Sequence, residues 1–223
     1  MNDDTQLNLT HMLRPALERD APDAPVPGLL LLHGLGADEA DLMGLEGALD
    51  PRFTIVSPRA PYRMGPGWAW YGMPQIGMPD AETFLASLAA LREFIAGLPS
   101  AYSIDPARLY VLGFSQGAIL GSVLAMSAPD AVRGVVMHSG YVPQALGNVS
   151  LDITPEGLAG KPFFVAHGKY DDVLPVSLAR DSHEYLQEAG ADVLYQEYPI
   201  GHSIGEESLY DLSEWLTRQL DQG

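Results

Sequence analysis

The stretch RLYVLGFSQGAILGSVLAM, residues 108–126, places a lone serine between two glycines, where one apolar run ends and another begins. The first run has the composition of a buried strand and the second that of a helix. A sharp turn between a strand and a helix holds a side chain clear of the backbone, and it requires small residues two positions before and after it. Gly113 and Gly117 meet that requirement around Ser115. The stretch therefore predicts a nucleophilic serine.

Short β-rich runs alternate with runs of helical period along the rest of the chain, which is typical of an α/β fold with a mostly parallel sheet. The candidate strands cover residues 7–13, 28–32, 53–57, 109–112, 132–137, 162–166 and 193–198. The candidate helices cover residues 38–49, 81–98, 116–127, 176–189 and 206–220. We expect a single domain over residues 1–223, with about seven strands and helices on both faces of the sheet.

Local patterns refine this outline. Apolar residues of the second helix fall at Phe84, Leu88, Leu91, Ile95 and Leu98, a stripe that predicts a core contact. The spacing of a serine at 203 and a glutamate at 206 predicts a capping box at the start of the last helix. Two long segments rich in helix breakers, residues 61–79 and 139–160, are the expected loops of a substrate pocket.

Composition excludes several classes of function. The chain has 29 acidic and 12 basic residues and a formal net charge of -17. Such a surface repels phosphate groups, so we expect no nucleic-acid partner and no stable membrane insertion. The absence of cysteine excludes a thiolate nucleophile. The first residues have neither the basic nor the apolar region of a signal peptide, which favours a cytoplasmic protein.

A serine nucleophile needs a basic histidine, and the histidine needs an acid that fixes its tautomer. In folds with this serine turn the chain order is nucleophile, acid, histidine. Four histidines come too early for that order: His11, His33, His138 and His167. His183 and His202 remain. We favour His202, which follows a strand in a loop before a helix, whereas His183 lies within a predicted surface helix.

The acid is one of two neighbouring carboxylates in PFFVAHGKYDDVLP, residues 162–175. Asp171 and Asp172 both lie in the loop that follows a buried strand. Adjacent side chains cannot both point at one imidazole, so one of the two is structural or solvated. The spacing alone leaves both open.

Two backbone N–H groups are candidates for binding the oxyanion of an acyl-transfer reaction. Gln116 opens the helix after the serine, where free N–H groups and the positive end of the helix dipole point at the reacting atoms. Leu35 follows an early apolar strand in the sequence His33-Gly34-Leu35-Gly36, a loop whose glycines allow close approach of the backbone. The expected role of His33 is to order this loop through its own hydrogen bonds.

The segment APYRMGPGWAWYGMPQIGMP, residues 60–79, carries aromatic and methionine side chains in a stretch too broken for a core element. Such side chains can line an acyl-chain groove. We predict Trp68, Trp70, Tyr71 and Met73 as substrate-binding residues. Anchoring of the loop is an equally good explanation for the two tryptophans.

With these residues in place the chain resembles the phospholipase/carboxylesterase family of α/β-hydrolases, which includes the acyl-protein thioesterases. The likeness covers residues 29–215 and is carried, in the family's order, by LLHGLGAD, IVSPRAPY, WAWYG, YVLGFSQGAIL, HSGYVP, HGKYDDVLP and YPIGHSI. The chain departs from the family at Ala118, where members often carry another glycine, and in loops at residues 73–79 and 145–155.

The resemblance implies Ser115, Asp171 and His202 as a catalytic triad, because the family pattern His-Gly-x-x-Asp ends at Asp171. It also implies Leu35 and Gln116 as oxyanion donors. Its implied substrates are small carboxylic esters, thioesters or lysophospholipids, without metal or cofactor. A homodimer is compatible with such a chain. The alternative is a relative without catalytic activity that binds a small ligand in the same pocket.

Overall fold

A seven-stranded sheet runs through the computed structural model, which describes residues 7–19, 21, 24–74, 78–143, 145–146, 149–150 and 155–222. The strands are β1 His11–Arg14, β2 Val26–Leu32, β3 Thr54–Pro58, β4 Tyr62–Met64, β5 Gly67–Ala69, β6 Ile104–Phe114, β7 Gly134–His138, β8 Ala145–Leu146, β9 Val149–Ser150, β10 Pro162–Gly168 and β11 Asp192–Tyr198. The α-helices are α1 Ala81–Tyr102, α2 Gln116–Ser127, α3 Ser177–Glu188 and α4 Glu206–Gln222.

The central sheet has the order β1-β3-β2-β6-β7-β10-β11. β1 pairs antiparallel with β3, and every other neighbouring pair is parallel. In such a sheet the loops that follow the strands meet at the carboxyl edge, where ligands bind. The predicted mostly parallel sheet of seven strands is confirmed.

Alternate residues of the buried strands face two separate cores. Leu30 and Leu32 of β2 pack with α1, α2 and α3, whereas Leu29 and Leu31 pack on the other face with α4 and a 3-10 helix, Leu42–Ala48. All seven residues of β2 are buried, as expected for a parallel strand covered on both sides. The predicted helices on both faces are confirmed.

Helix α1 buries the apolar stripe that its spacing predicted. Phe84, Leu88, Leu91, Ile95 and Leu98 are all buried, and the carboxylate of Asp80 caps the helix by accepting a 3.0 Å hydrogen bond from the Thr83 N–H. Among the described helices α1 alone has the length and hydropathy for a membrane crossing. Its apolar stripe instead packs into the core.

Three local predictions were wrong. Residues 38–49 form a short 3-10 helix rather than an α-helix, and Gly44 and Gly47 weaken any α-helix there. The capping box is absent: the Gly205 N–H donates to Ser208 Oγ at 3.0 Å, while the Ser203 N–H donates to the Gly201 carbonyl. The segment predicted as a loop at residues 61–79 contains the hairpin β4–β5. Part of the second predicted loop, residues 144, 147–148 and 151–154, lies outside the described residues.

Candidate active site

Ser115 stands at the sharp turn between β6 and α2. Its backbone has φ 53° and ψ −116°, a conformation that a residue other than glycine rarely adopts. The Ser115 N–H donates a 3.0 Å hydrogen bond to the His138 carbonyl at the end of β7. The neighbouring strand therefore holds the serine in its strained conformation.

Contacts around the turn explain the two glycines that flank Ser115. A Cβ on Gly113 would lie 2.5 Å from the Ala118 nitrogen, and a Cβ on Gly117 would lie 2.0 Å from the Leu32 carbonyl oxygen. Both distances are shorter than side chains tolerate, and both contacts are with backbone atoms. The close approach of β2, β6 and α2 therefore requires glycine at both positions.

The structure brings Ser115, His202 and Asp171 together from three separate loops. His202 Nε2 lies 3.0 Å from Ser115 Oγ, and His202 Nδ1 lies 2.7 Å from Asp171 Oδ2. An ionised carboxylate only accepts hydrogen bonds, so Nδ1 carries the proton and Nε2 faces the serine hydroxyl as an acceptor. His183 lies elsewhere, on α3, where its ring stacks on Tyr195.

Asp171 is held by its own loop. Its Oδ1 accepts hydrogen bonds from the Val173 N–H at 2.9 Å and from the Leu174 N–H at 2.8 Å. Burial raises the pKa of Asp171, but the hydrogen bonds from Leu174, His202 and Val173 outweigh burial and leave this pKa below its ordinary value. Its neighbour Asp172 is exposed to solvent. The geometry thus distinguishes the two carboxylates, because Asp171 contacts His202 and Asp172 faces solvent.

Leu35 and Gln116, whose backbone N–H groups are the candidate oxyanion donors, line the same cavity as Ser115. Neither donates to an acceptor within the part of the chain that the structure describes. The Leu35 loop is ordered by His33, whose Nδ1 lies 2.7 Å from the Gly34 carbonyl and whose Nε2 accepts from the Ala60 N–H at 3.1 Å. Burial lowers the pKa of His33, which favours the neutral ring that this pairing needs.

Hairpin β4–β5 stabilises the loop that carries Leu35 through backbone hydrogen bonds of Trp68. The Trp68 carbonyl accepts from the Gly36 N–H, and the Trp68 N–H donates to the Ala37 carbonyl, each at 2.8 Å. A Cβ on Gly67 would lie 1.8 Å from the Gly36 carbonyl oxygen, so only glycine permits this approach. The half-buried Trp68 ring packs against the core and lies under the guanidinium groups of Arg59 and Arg63.

Trp70 and Tyr71 connect this hairpin to the serine turn. The fully buried Trp70 indole donates to the His33 carbonyl at 3.0 Å. The Gln116 side chain accepts from the Trp70 N–H and donates to the Tyr71 carbonyl, both at 3.0 Å. Through these contacts the side chains of Trp70 and Gln116 link the loop of Leu35 to the backbone at Gln116, the two segments that carry the candidate oxyanion donors.

Beside Ser115 lies a cavity of about 300 Å³. Its lining residues, among those the structure describes, are Gly34, Leu35, Ala37, Asp41, Met73, Phe114, Ser115, Gln116, Ile119, Val173, Leu174 and His202. Of the four predicted substrate-binding residues, Met73 lines this cavity, whereas Trp68, Trp70 and Tyr71 do not. The geometry supports anchoring as the role of these three aromatic residues.

Three further residues support the site, and sequence reasoning did not select them for it. The Phe114 ring packs against His202 with centroids 5.0 Å apart. His167 Nε2 donates to the Leu174 carbonyl at 2.8 Å and lies 3.3 Å from Asp171 Oδ2. His138 bridges Ser139 and Ser208 through its two ring nitrogens. Their positions at the carboxyl ends of β6, β7 and β10 could have identified them from the sequence, because residues that support a site gather at this edge of the sheet.

Comparisons with known proteins find similar sequences and structures. The phospholipase/carboxylesterase family model matches residues 19–220. A probable carboxylesterase of Oryza sativa subsp. japonica is 33% identical over 86% of this chain and 77% of its own length. Acyl-protein thioesterase 1 of Neurospora crassa is 30% identical over 93% of this chain and 92% of its own. The Bacillus cereus carboxylesterase structure superposes with a TM-score of 0.84, at 24% identity and 96% coverage of both chains.

The fold and the relatives define an α/β-hydrolase. The chain belongs to the phospholipase/carboxylesterase family, as its motifs predicted, and it is a hydrolase of the carboxylesterase and thioesterase type.

Proposed function

We propose that this chain cleaves small carboxylic esters or thioesters through an acyl intermediate on Ser115. The observation that carries the proposal is the continuous hydrogen-bonded line from Ser115 Oγ through His202 to Asp171, with contacts of 3.0 and 2.7 Å. This arrangement fits nucleophilic catalysis, in which a histidine activates the serine and an acid orients the histidine.

The proposed reaction has two halves. His202 Nε2 takes the proton of Ser115 as Oγ attacks the acyl carbon, and the N–H groups of Leu35 and Gln116 stabilise the oxyanion. The same imidazole then gives its proton to the departing alcohol or thiol as the bond between that group and the acyl carbon breaks. Water repeats the sequence on the acyl-enzyme, which releases the acid and restores Ser115.

Asp171 has two tasks in this reaction. It keeps the Nδ1 proton of His202 in place, so that Nε2 is free to accept from the serine, and it stabilises the imidazolium that forms. The hydrogen bonds that hold its pKa below the ordinary value keep it ionised for both tasks. The strained turn at Ser115 aims the Gln116 N–H at the oxyanion before substrate arrives.

The size and lining of the cavity beside Ser115 favour short to medium acyl chains. A volume of about 300 Å³ lies at the small end of the range typical of small-molecule sites, roughly 300–1,000 Å³. The lining side chains of Met73, Ile119 and Leu174 are apolar and suit a hydrocarbon chain. Lysophospholipids and acylated proteins are alternative substrates for the same chemistry.

A homodimer, a cytoplasmic location and a single domain stay predictions.

Substitution of the serine tests the proposal. We expect Ser115→Ala to lower turnover of p-nitrophenyl butyrate by about a millionfold, the loss typical of a removed serine nucleophile. Ser122→Ala is the matched control: it makes the same change within α2, the helix that follows Ser115, on a side chain bonded to the Ile119 carbonyl. A non-catalytic ligand-binding relative predicts no turnover in either variant or in the parent chain. Full activity of Ser115→Ala would reject the assignment.

A further inference from the structure

A second cavity, of about 270 Å³, lies next to the first and is lined by His202 as well. The two cavities share Asp41, Phe114 and His202. The remaining lining residues of the second cavity are Leu42, Leu45, Ser203 and Ile204, from the 3-10 helix and from the loop that carries His202. An ester bond held at Ser115 therefore lies near two neighbouring cavities that both border His202.

We propose that the second cavity binds the alcohol or thiol half of the substrate, while the first binds the acyl half. This inference rests on the proposed function and adds a leaving-group site to it. The chemistry of the two halves decides which cavity each one occupies.

The acyl half is tied to the oxyanion donors, because its carbonyl oxygen must lie at the N–H groups of Leu35 and Gln116. Both residues line the first cavity, and neither is among those lining the second. The leaving atom must instead lie near His202 Nε2, which returns the proton to it. Ser203 and Ile204, the two residues that follow His202, line the second cavity.

The lining of the second cavity defines the chemistry of the leaving group. Leu42, Leu45, Phe114 and Ile204 present apolar surface, so the fitting group is an alcohol or thiol with a hydrocarbon body. Asp41 stands where the cavities meet, and its carboxylate makes no hydrogen bond or ion pair within the described residues. Neither cavity has a lysine or arginine among its described lining residues. The expected leaving group is therefore neutral or cationic, which argues against the lysophospholipid alternative, because its leaving group carries a phosphate.

Two isomeric esters separate the cavities. Octyl acetate carries its long chain on the alcohol, and ethyl octanoate carries an equally long chain on the acid. Leu45→Trp narrows the second cavity at a half-buried position, and Met73→Trp narrows the first at another. We expect Leu45→Trp to lower kcat/KM for octyl acetate about tenfold or more and to spare ethyl octanoate, because a pocket discriminates by contacts with the half it holds. Met73→Trp should show the reverse.

The kinetic step that changes gives an independent readout. Each ester forms an acyl-enzyme from which the alcohol has already departed. Leu45→Trp should therefore lower the rate of acylation and leave the rate of deacylation unaltered. Loss of both esters in equal proportion in Leu45→Trp, or loss confined to ethyl octanoate, would overturn the assignment of the second cavity. Undiminished ester cleavage by Ser115→Ala would instead overturn the proposed function, and the leaving-group site with it.

Discussion

His202 Nδ1 donates to Asp171 Oδ2 across 2.7 Å, although 31 residues separate the two in the chain. The prediction for Asp171→Asn follows from the tautomer that this bond fixes. An asparagine amide facing Nδ1 favours a proton on Nε2, which can no longer accept from Ser115. We expect turnover of p-nitrophenyl butyrate to fall by about ten-thousandfold with the fold intact.

Asp172→Asn is the matched control for that variant, since it removes the same charge from the exposed neighbouring side chain. Its turnover should stay within about twofold of the parent chain, as is usual for surface substitutions. Equal losses in the two variants would show that charge in this loop matters and that the Asp171 contact does not.

Gly117→Ala tests the close approach of α2 to β2. The added methyl group would lie 2.0 Å from the Leu32 carbonyl oxygen. We expect a loss of about 1–3 kcal/mol or more in the free energy of unfolding, because overpacking against backbone forces the helix to move. Thermal denaturation measures the change. Gly47→Ala has open space around its new methyl group and should leave Tm nearly unchanged; equal behaviour of the two variants would contradict the packing account.

Trp70→Phe distinguishes a supporting residue from a substrate-binding one. The variant loses the indole hydrogen bond to the His33 carbonyl but keeps the aromatic packing. We expect kcat to fall by about ten- to hundredfold, the scale of a misplaced catalytic group, while KM changes little. Trp68→Phe is the control, since the contacts of Trp68 to the Leu35 loop are made by its backbone. A rise in KM at unchanged kcat in Trp70→Phe would restore the predicted substrate contact.

The lowered pKa of His138 implies that the stability of the fold depends on pH. Burial, with the nearby His167 and His202, lowers the pKa of His138 to about 3 in the folded protein, whereas the unfolded chain has about 6.5. Between these pH values the histidine is protonated in the unfolded chain and neutral in the folded protein. The contribution of neutral His138 to the free energy of unfolding is therefore complete above about pH 6.5 and is lost as the pH falls. His33 and His167 shift in the same direction.

The measurement is denaturant unfolding at pH 7 and pH 5 in the parent chain and in His138→Gln. The change in unfolding free energy between the two pH values should be smaller by about 2 kcal/mol in the variant, the cost of keeping one such histidine neutral. The same change in both proteins would show that His138 titrates normally.

The sequence predicted the sheet and the serine turn because both depend on local patterns. Buried parallel strands are continuous apolar runs, and the turn requires glycine at fixed distances from Ser115. The chain order of triad residues likewise favoured His202 over His183. The choice of Asp171 over Asp172 came from a family motif, and its physical reason, the N–H groups of Val173 and Leu174, is visible only in the folded loop.

The predictions that failed depend on contacts between distant segments. Hairpin β4–β5 is short and rich in glycine and proline, and its hydrogen bonds to Gly36 and Ala37 have no local signal. For Trp70 the sequence left substrate binding and loop anchoring open, and only the folded structure shows that its indole is buried and donates to the His33 carbonyl. The start of α4 at residue 206 was predicted correctly, but its capping was not, because Ser208 and not Ser203 accepts from the Gly205 N–H.

Labelling with a fluorophosphonate, followed by peptide mass spectrometry, tests the central claim most directly. The reagent modifies a serine only where a histidine activates it and an oxyanion site receives the phosphoryl oxygen. We predict a single label on Ser115, no label in Ser115→Ala, and much slower labelling in His202→Ala. A folded parent chain that takes no label, or takes it on another residue, would contradict the account.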